Sequence, residues 1–137
     1  MMTTAQQDAP RATLLHVEPQ LFVSDLERAC RFYIDKLGFE IVFTYGEPTF
    51  YAQVRRGGAR LNLRRTGRPA FDREFVRIEG HAISASIALD DAQVLFLEFE
   101  QKGVDFEQRL RIEPWGARNF IVRDPDGNLI CFAGPGD

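Results

Sequence analysis

The sequence predicts an α+β fold in which two β-α-β-β-β modules form a cleft, with two chains paired across a two-fold axis. Its 137 residues suit one domain, and 45% of them are hydrophobic, enough for a core. A strand–helix–strands pattern occurs twice along the chain. In both copies the strands alternate apolar and polar residues, so a helix covers only one face of each small sheet. The other face is left for a ligand, the other module or a second chain, which favours a homodimer.

The composition places the boundaries between these parts. The polar start of the chain lacks periodicity and is predicted to be a disordered tail, and a stretch rich in Gly and Pro separates the two modules. The expected division is a tail over residues 1–13, a first module over 14–65, a linker over 66–80 and a second module over 81–133, with 14–133 forming a single domain.

In the first module, a strand over residues 14–23 is interrupted by Pro19. Ser24 and Glu27 have the spacing of a capping box, which predicts a helix starting there, and Gly38 ends it. Short β-prone runs separated by Gly and Pro turns follow. They predict strands over residues 39–45, 49–55 and 59–65.

The linker holds Gly67, Pro69 and Gly80 and is predicted to lack regular structure. The pattern then restarts with a strand over 83–89 and a helix over 92–102 that Asp90 or Asp91 caps. The remaining strands are predicted over residues 104–110, 120–122 and 129–132.

The internal repeat is visible in the letters themselves. FVSD at 22–25 recurs as ALDD 66 residues later, and the helix-ending Gly38 recurs as Gly103 after 65 residues. GARLNL at 58–63 corresponds to GNLICF 69 residues later. Nearly constant offsets indicate two copies of one structural unit.

Trp115, the only tryptophan, precedes Gly116 and lies shortly before the turn sequence DPDG at 124–127. This Trp either packs in the core as part of a closing hairpin or lines a ligand cleft. The local sequence leaves both interpretations open.

Several function classes find little support. A net charge of −3 argues against nucleic acid, and the arginine-rich stretch over residues 55–77 is interpreted as a solvated face or a dimer rim. No apolar run reaches the roughly 18 residues of a membrane span, and no secretory signal is recognised. Two cysteines give no disulfide framework. A cytoplasmic protein without membrane or nucleic-acid partners is expected.

Residues 23–39 (VSDLERACRFYIDKLGF) resemble the opening helix of the vicinal oxygen chelate superfamily, which includes glyoxalases, bleomycin resistance proteins and dioxygenases. Trp115-Gly116, followed by DPDGN at 124–128, resembles the closing hairpin of the bleomycin resistance branch. The resemblance spans about residues 14–133 and implies paired β-α-β-β-β modules. It does not fix the function, because this fold hosts both enzymes and binding proteins.

The resemblance also implies where a divalent metal would bind in the enzymes of the superfamily. The four corresponding positions here are Glu18, Asn62, Ser84 and Cys131, and only Glu18 is of the expected type. His16 and His81 are expected at strand entrances, partly solvated, rather than as replacement ligands. We therefore expect no metal, no cofactor and no catalytic residue, with Glu18 as a weak metal candidate; whether the chain is an enzyme is left open.

Strand alternation from these positions predicts a cleft with a polar base and aromatic walls. Such a cleft suits a flat or heteroaromatic ligand, although the same aromatic side chains would also fill a dimer interface. The predicted ligand-binding residues are Glu18, Gln20, Phe43, Phe50, Arg60, Asn62, Arg64, Ser84, Ser86, Trp115 and Cys131.

The function predicted from the sequence is metal-free binding of a small molecule, antibiotic-like or aromatic, acting by sequestration as in the bleomycin resistance proteins. The alternative is a glyoxalase-type lyase or a dioxygenase that depends on a divalent metal. The intact repeat supports both, and the incomplete donor set favours the first.

Overall fold

The computed structural model describes residues 9–69 and 71–136, which form two four-stranded mixed sheets with helices. The strand order is β1-β4-β3-β2 in the first sheet and β5-β8-β7-β6 in the second, so each sheet has the same connectivity. In each sheet the first strand runs parallel to the last, and the other pairs are antiparallel. The predicted α+β architecture with two similar sheets is confirmed.

The first sheet and its helix occupy residues 20–65. Helix α1 is followed directly by one wider π-helical turn, so the helical segment as a whole ends close to the predicted position. The elements are β1 (Gln20–Val23), α1 (Leu26–Arg31), the π turn (Phe32–Lys36), β2 (Glu40–Gly46), β3 (Thr49–Arg56) and β4 (Ala59–Arg65).

The second sheet repeats this order after an additional helix. Strands β7 and β8 are longer than predicted and β6 is shifted by two residues, because pairing in the sheet extends beyond the short β-prone runs of the sequence. The elements are α2 (Arg73–Glu79), β5 (Ile83–Ala88), α3 (Ala92–Gln101), β6 (Phe106–Ile112), β7 (Ala117–Arg123) and β8 (Leu129–Pro135).

The first strand is much shorter than the predicted 14–23. One ladder bond extends it, from the Asn62 amide to the Pro19 carbonyl at 2.9 Å, but Leu14 is 95% exposed and no regular structure precedes Gln20. Pro19 has no N–H to donate, which ends the ladder there. The predicted disordered tail lies partly outside the described residues, since these begin at residue 9.

The cap of α1 is Asp25 rather than the predicted Ser24. The Asp25 carboxylate accepts the Arg28 amide at 3.0 Å, and Glu27 pairs with Arg31 instead of reaching back. Ser24 is engaged elsewhere, because its amide donates to Asp126 of the β7–β8 turn at 2.9 Å. The predicted capping box is therefore wrong, and Ser24 instead links the start of the helix to the second module.

The linker contains a helix that the sequence reading missed. Asp72 caps α2 by accepting two backbone amides, yet none of the helix residues is buried. A helix without a buried apolar face gives no periodic signal, and the flanking Gly67 and Gly80 read as loop. Within the described residues no helix is long and apolar enough to cross a membrane.

The core lies between the two helices and the sheet faces that they cover. Buried residues alternate along β1 and β4, and the phenylalanines Phe99, Phe120 and Phe132 pack together with ring centroids 5.3–5.9 Å apart. Because residues of both modules belong to this one hydrophobic cluster, the modules pack as a single unit. The opposite face of each sheet, which no helix covers, is called its open face below.

Polar contacts also join the modules. The Tyr33 hydroxyl donates to buried Asp124 at 2.9 Å, and the Asn128 amide donates to the Phe22 carbonyl at 3.0 Å. Arg56 donates twice to Glu98, at 2.7 and 2.9 Å, and also to the Leu37 carbonyl. A Cβ at Gly38 would lie 2.8 Å from that guanidinium, so glycine is required there for this contact as well as for its φ of +74°.

Candidate ligand-binding site

Four polar side chains on the open face of the first sheet form one hydrogen-bonded group, the first polar cluster (Glu18, Gln53, Arg60 and Asn62). Gln53 is at its centre and is only 4% exposed. Its amide nitrogen donates to Glu18 and to Asn62, both at 2.9 Å, and its oxygen accepts from Arg60 at 3.2 Å. Gln53 thus holds a carboxylate, an amide and a guanidinium in fixed positions on the sheet.

The carboxylate of this cluster is kept ionised by its neighbours. His16 donates a hydrogen bond to Glu18, and this bond is the main cause of a pKa lowered from the ordinary 4.5, with smaller contributions from Asn62 and Gln53. Glu18 is accessible, so the charge faces solvent and a ligand can reach it. At neutral pH the group can accept hydrogen bonds and attract a cation.

Aromatic side chains border the first polar cluster on β2 and β3. Phe43 pairs in register with Gln53, and its ring stacks on Tyr51 with centroids 6.1 Å apart and planes 21° apart. Phe43 and Tyr45 are 45% and 67% exposed. These rings form an aromatic shelf (Phe43, Tyr45 and Tyr51) on which a flat molecule can stack.

Phe50 is the second residue of β3 and lies next to the shelf. Its ring meets Tyr45 edge-on at 5.9 Å and lies under the Arg64 guanidinium at 5.1 Å. A Cβ at Gly46 would lie 2.4 Å from this ring, so the glycine makes room for it. Phe50 precedes Tyr51 and therefore has the opposite strand parity from the shelf residues.

The open face of the second sheet carries a different group, the second polar cluster (Ser86, Gln108, Asn119 and Cys131). Gln108 donates to Asn119 at 3.0 Å, and the Asn119 amide lies 3.9 Å from the Cys131 sulfur. Ser86 pairs in register with Cys131. Burial raises the pKa of the Cys131 thiol above its ordinary 9.0, so the sulfur stays protonated at neutral pH and is a poor nucleophile.

An ion pair lies beside the second polar cluster. Arg111 donates to Glu113 at 2.6 Å, and the Glu113 side chain is only 7% exposed. The hydrogen bond from Arg111 lowers the pKa of Glu113, although burial opposes it. Because the two charges neutralise each other, this part of the second sheet presents little net charge to a ligand.

Trp115 lies in the β6–β7 turn and is 72% exposed, so it is not part of the core. The turn is closed by the Glu113 amide bound to the Ala117 carbonyl at 2.7 Å, and Gly116 adopts a φ of +96°. An exposed indole on a hydrogen-bonded turn is available to a ligand or to another chain. The structure therefore excludes the packing interpretation within a single chain.

Within one chain, the residues at the implied metal positions are not brought together. Glu18 and Asn62 lie together on the first sheet, whereas the Ser84 hydroxyl donates to Asn128 at 3.3 Å and Cys131 belongs to the second polar cluster. Within residues 9–69 and 71–136, no group of three or more His, Cys, Asp or Glu is arranged to hold a metal ion. His16 adds one ligand beside Glu18, and this pair alone is short of the four usual for zinc.

The structure thus divides the predicted site residues between two open faces, and Ser84 and Trp115 belong to neither polar cluster. Gln20 shares the open face of the first sheet, since it pairs in register with Asn62, and Arg64 shares it with Tyr51. No hydrogen bond within the described residues joins the first polar cluster to the second.

Sequence reasoning missed five residues of these groups. The turn at Gly57 and Gly58 fixes the register that places Gln53 opposite Asn62. The predicted hairpin was therefore sufficient to identify Gln53 as a neighbour of Asn62. Asn119 and Gln108 lie beside register shifts that no local pattern reveals. The missed residues are Tyr51, Gln53, Gln108, Glu113 and Asn119.

Comparison with known proteins gives a consistent assignment. The sequence profile of the Glyoxalase/Bleomycin resistance protein/Dioxygenase superfamily matches residues 13–132. Bleomycin resistance proteins of Geobacillus stearothermophilus and Staphylococcus aureus are each 30% identical to this chain over 130 residues, covering 87% of this chain and 96% of each relative.

Solved structures show the same fold. The bleomycin-binding protein from bleomycin-producing Streptomyces verticillus, complexed with copper(II)-bleomycin, has a TM-score of 0.70 and 29% identity, covering 93% of this chain and 100% of that one. TioX from Micromonospora sp. ML1 has a TM-score of 0.69 and 27% identity, covering 88% and 98%. With its paired sheets and these matches, the chain belongs to the glyoxalase/bleomycin resistance protein/dioxygenase superfamily.

Proposed function

We propose that this protein binds a bleomycin-like small molecule with a flat heteroaromatic part and sequesters it without chemical change. The observation that carries the proposal is the aromatic shelf next to the first polar cluster. Stacking surface beside a fixed carboxylate, amide and guanidinium suits a ligand that is both aromatic and rich in hydrogen-bonding groups. Relatives named for bleomycin resistance and bleomycin binding support the same ligand class.

The chemistry of the side chains supports sequestration rather than catalysis. The implied metal positions lie in separate groups, and the Cys131 thiol is held in its protonated form. A metal carried by the ligand, as in a copper(II) complex, would need no metal site in the protein. The role proposed for the protein is therefore tight binding alone, with no resident cofactor.

We further propose a homodimer in which the open faces of two chains contribute to each binding site. The exposed shelf and the exposed Trp115 both lie on surfaces that a single chain leaves uncovered. One stacking surface on each sheet would let a ligand bind between two aromatic walls.

Titration calorimetry with bleomycin, both metal-free and as its copper(II) complex, tests the proposed ligand. We expect saturable binding with one site per chain, and recovered bleomycin of unchanged mass after incubation. Phe43→Ala should weaken binding, whereas Arg31→Ala, on the exposed side of α1, should not.

A chemically altered ligand, or binding that requires a metal added to the protein, would favour the metal-dependent lyase or dioxygenase instead. Light scattering in the same buffer tests the dimer, since a monomer has a mass of 15.6 kDa. A monomer that still binds bleomycin tightly would remove the shared site while leaving the ligand assignment intact.

A further inference from the structure

A second, chemically different pocket lies where the linker meets the β7–β8 turn. It encloses about 640 Å³ and shares no residue with either polar cluster or with the aromatic shelf. We refer to it as the arginine pocket, because three arginines are among the residues that line it. Those residues are Ser24, Arg65, Thr66, Gly67, Arg68, Pro69, Phe71, Arg73, Pro125 and Asp126.

Among residues 9–69 and 71–136, the arginines of this pocket have no side-chain partner. Most arginines in the described residues pair with a carboxylate, donate to an amide or a carbonyl, or lie over an aromatic ring. The side chains of Arg65, Arg68 and Arg73 do none of these, and the only other such arginine is Arg11. Three unpaired guanidiniums around one pocket make a local excess of positive charge in a chain whose net charge is −3.

The carboxylates near these arginines form no ion pair with them among the described residues. Asp72 accepts the amides that begin α2, and Glu74 pairs with Arg77 at 2.9 Å. Among the described residues that line the pocket, Asp126 is the one acidic side chain, so three guanidiniums there face one carboxylate. One Asp126 oxygen accepts the Ser24 amide, the other is buried without a hydrogen-bond partner, and Arg28 lies 3.8 Å from the carboxylate.

The pocket is held in shape by contacts among three segments of the chain. The Thr66 amide donates to the Val23 carbonyl at 2.9 Å, which fixes the end of β4, and the Arg68 amide donates to the Thr66 hydroxyl at 3.4 Å. Phe71 lies close to the β7–β8 turn, since a Cβ at Gly127 would be 4.0 Å from its ring. A ligand would therefore meet a largely formed site bordered by exposed arginines.

We propose that the arginine pocket binds the phosphate or sulfate group of a small molecule, or the free anion. Guanidiniums donate paired hydrogen bonds to tetrahedral oxyanions, and three of them can contact one such group from different sides. The site does not depend on the bleomycin-type ligand, because its residues are separate from the open faces. It adds an anion-binding function to a protein whose proposed ligand site is aromatic and polar.

The test is titration calorimetry with inorganic phosphate at low ionic strength on three proteins. They are the unchanged chain, the pocket variant Arg65→Ala/Arg68→Ala/Arg73→Ala, and the control variant Arg11→Ala/Arg31→Ala/Arg55→Ala, which removes the same charge from exposed positions outside the pocket. We expect saturable binding, weakened about tenfold or more in the pocket variant and little changed in the control. Thermal unfolding without phosphate checks that both variants are folded.

Phenyl phosphate, compared with inorganic phosphate, distinguishes the two sources of the anion. Tighter binding of phenyl phosphate than of inorganic phosphate would identify a group carried by a small molecule, and equal binding would identify the free anion; both support the pocket. No saturable phosphate binding, or an equal loss in the pocket and control variants, would overturn the proposal. Binding of double-stranded DNA that the pocket variant loses, without saturable phosphate binding, would overturn it in favour of a nucleic-acid surface.

Discussion

The open faces of the two sheets carry different chemistry on the same strand arrangement. On the first sheet, Glu18 and Arg60 present opposite charges around Gln53, next to exposed aromatic rings. On the second sheet, neutral amides and a protonated thiol lie beside the Arg111–Glu113 ion pair, whose two charges neutralise each other. The two modules are thus alike in topology and unlike in what they offer a ligand.

The faces that the helices cover show much less difference. Leu61 and Leu63 of β4 are buried, and so are Ile130 and Phe132 at the corresponding positions of β8. Apolar packing maintains the fold on this side, so substitutions there are constrained in both modules. No helix packs on the open faces, so their residues are less constrained. This explains how one repeated unit can hold a charged cluster in one copy and a neutral one in the other.

The contrast between a packed face and an open face predicts the largest effect on stability. Phe120→Ala removes a fully buried ring that contacts four other phenylalanines, and it should lower the free energy of unfolding by about 3–5 kcal/mol. Phe43→Ala removes a ring of the same size from the open face and should lower it by less than about 1 kcal/mol. Urea unfolding of both variants measures the difference; equal losses would mean that the aromatic shelf is a packing element.

The two sheets act as one unit only if the contacts between the modules hold. Tyr33→Phe removes the hydroxyl that donates to buried Asp124, and we expect a loss of about 1.5–3 kcal/mol, typical of hydrogen bonds to charged groups. Asp124 keeps three other donors from the β7–β8 turn, so the turn itself should survive. Amide hydrogen exchange in the turn, unchanged in the variant, would be the matched control, and an unchanged stability would contradict the predicted link.

Trp115 tests the second sheet as a contributor to binding. Trp115→Ala should weaken ligand binding by about 1–3 kcal/mol, by analogy with the stacking of bases on aromatic side chains. Stability of the single chain should change little, because the indole is 72% exposed. Since it is the only tryptophan, its fluorescence should change when a stacking ligand binds. Tight binding without any change in emission would assign the ligand to the first sheet alone.

The smallest predicted effect concerns the ion pair between Arg56 and Glu98, which joins the first module to the second. The hydrogen bond from Arg56 lowers the pKa of Glu98 from its ordinary 4.5. A lowered native pKa stabilises the fold above about pH 4.5, and this contribution is lost as the pH falls through the native pKa. Both groups are more than one-third exposed, so the contribution is expected to be only about 0–1 kcal/mol.

The variant Glu98→Gln should therefore unfold at nearly the same urea concentration as the unchanged chain in strong acid, and slightly earlier at neutral pH. Its stability should fall less steeply on acidification. Denaturant midpoints measured across this pH range provide the comparison. A variant that loses stability as steeply as the unchanged chain would exclude Glu98 as a source of the acid sensitivity.

The letters of the sequence determined the repeated architecture and much of the packing. Alternation along β4 and β8 and the glycines that end the helices are local properties, and they were sufficient to identify two modules with helix-covered faces. Applied to the metal positions that the family resemblance implied, the same alternation placed Glu18, Arg60 and Asn62 on one face. Residue types alone also showed that the implied metal positions lack the usual ligands.

Only the tertiary structure decided how side chains meet across strands and modules. Gln53 and Asn119 became the centres of the two polar clusters through strand register, which depends on turns and bulges beyond any single strand. Asp25 rather than Ser24 caps the first helix, and the Ser24 amide instead donates to Asp126, 102 residues further along the chain. Such contacts join residues far apart in the chain, so no local pattern in the sequence specifies them.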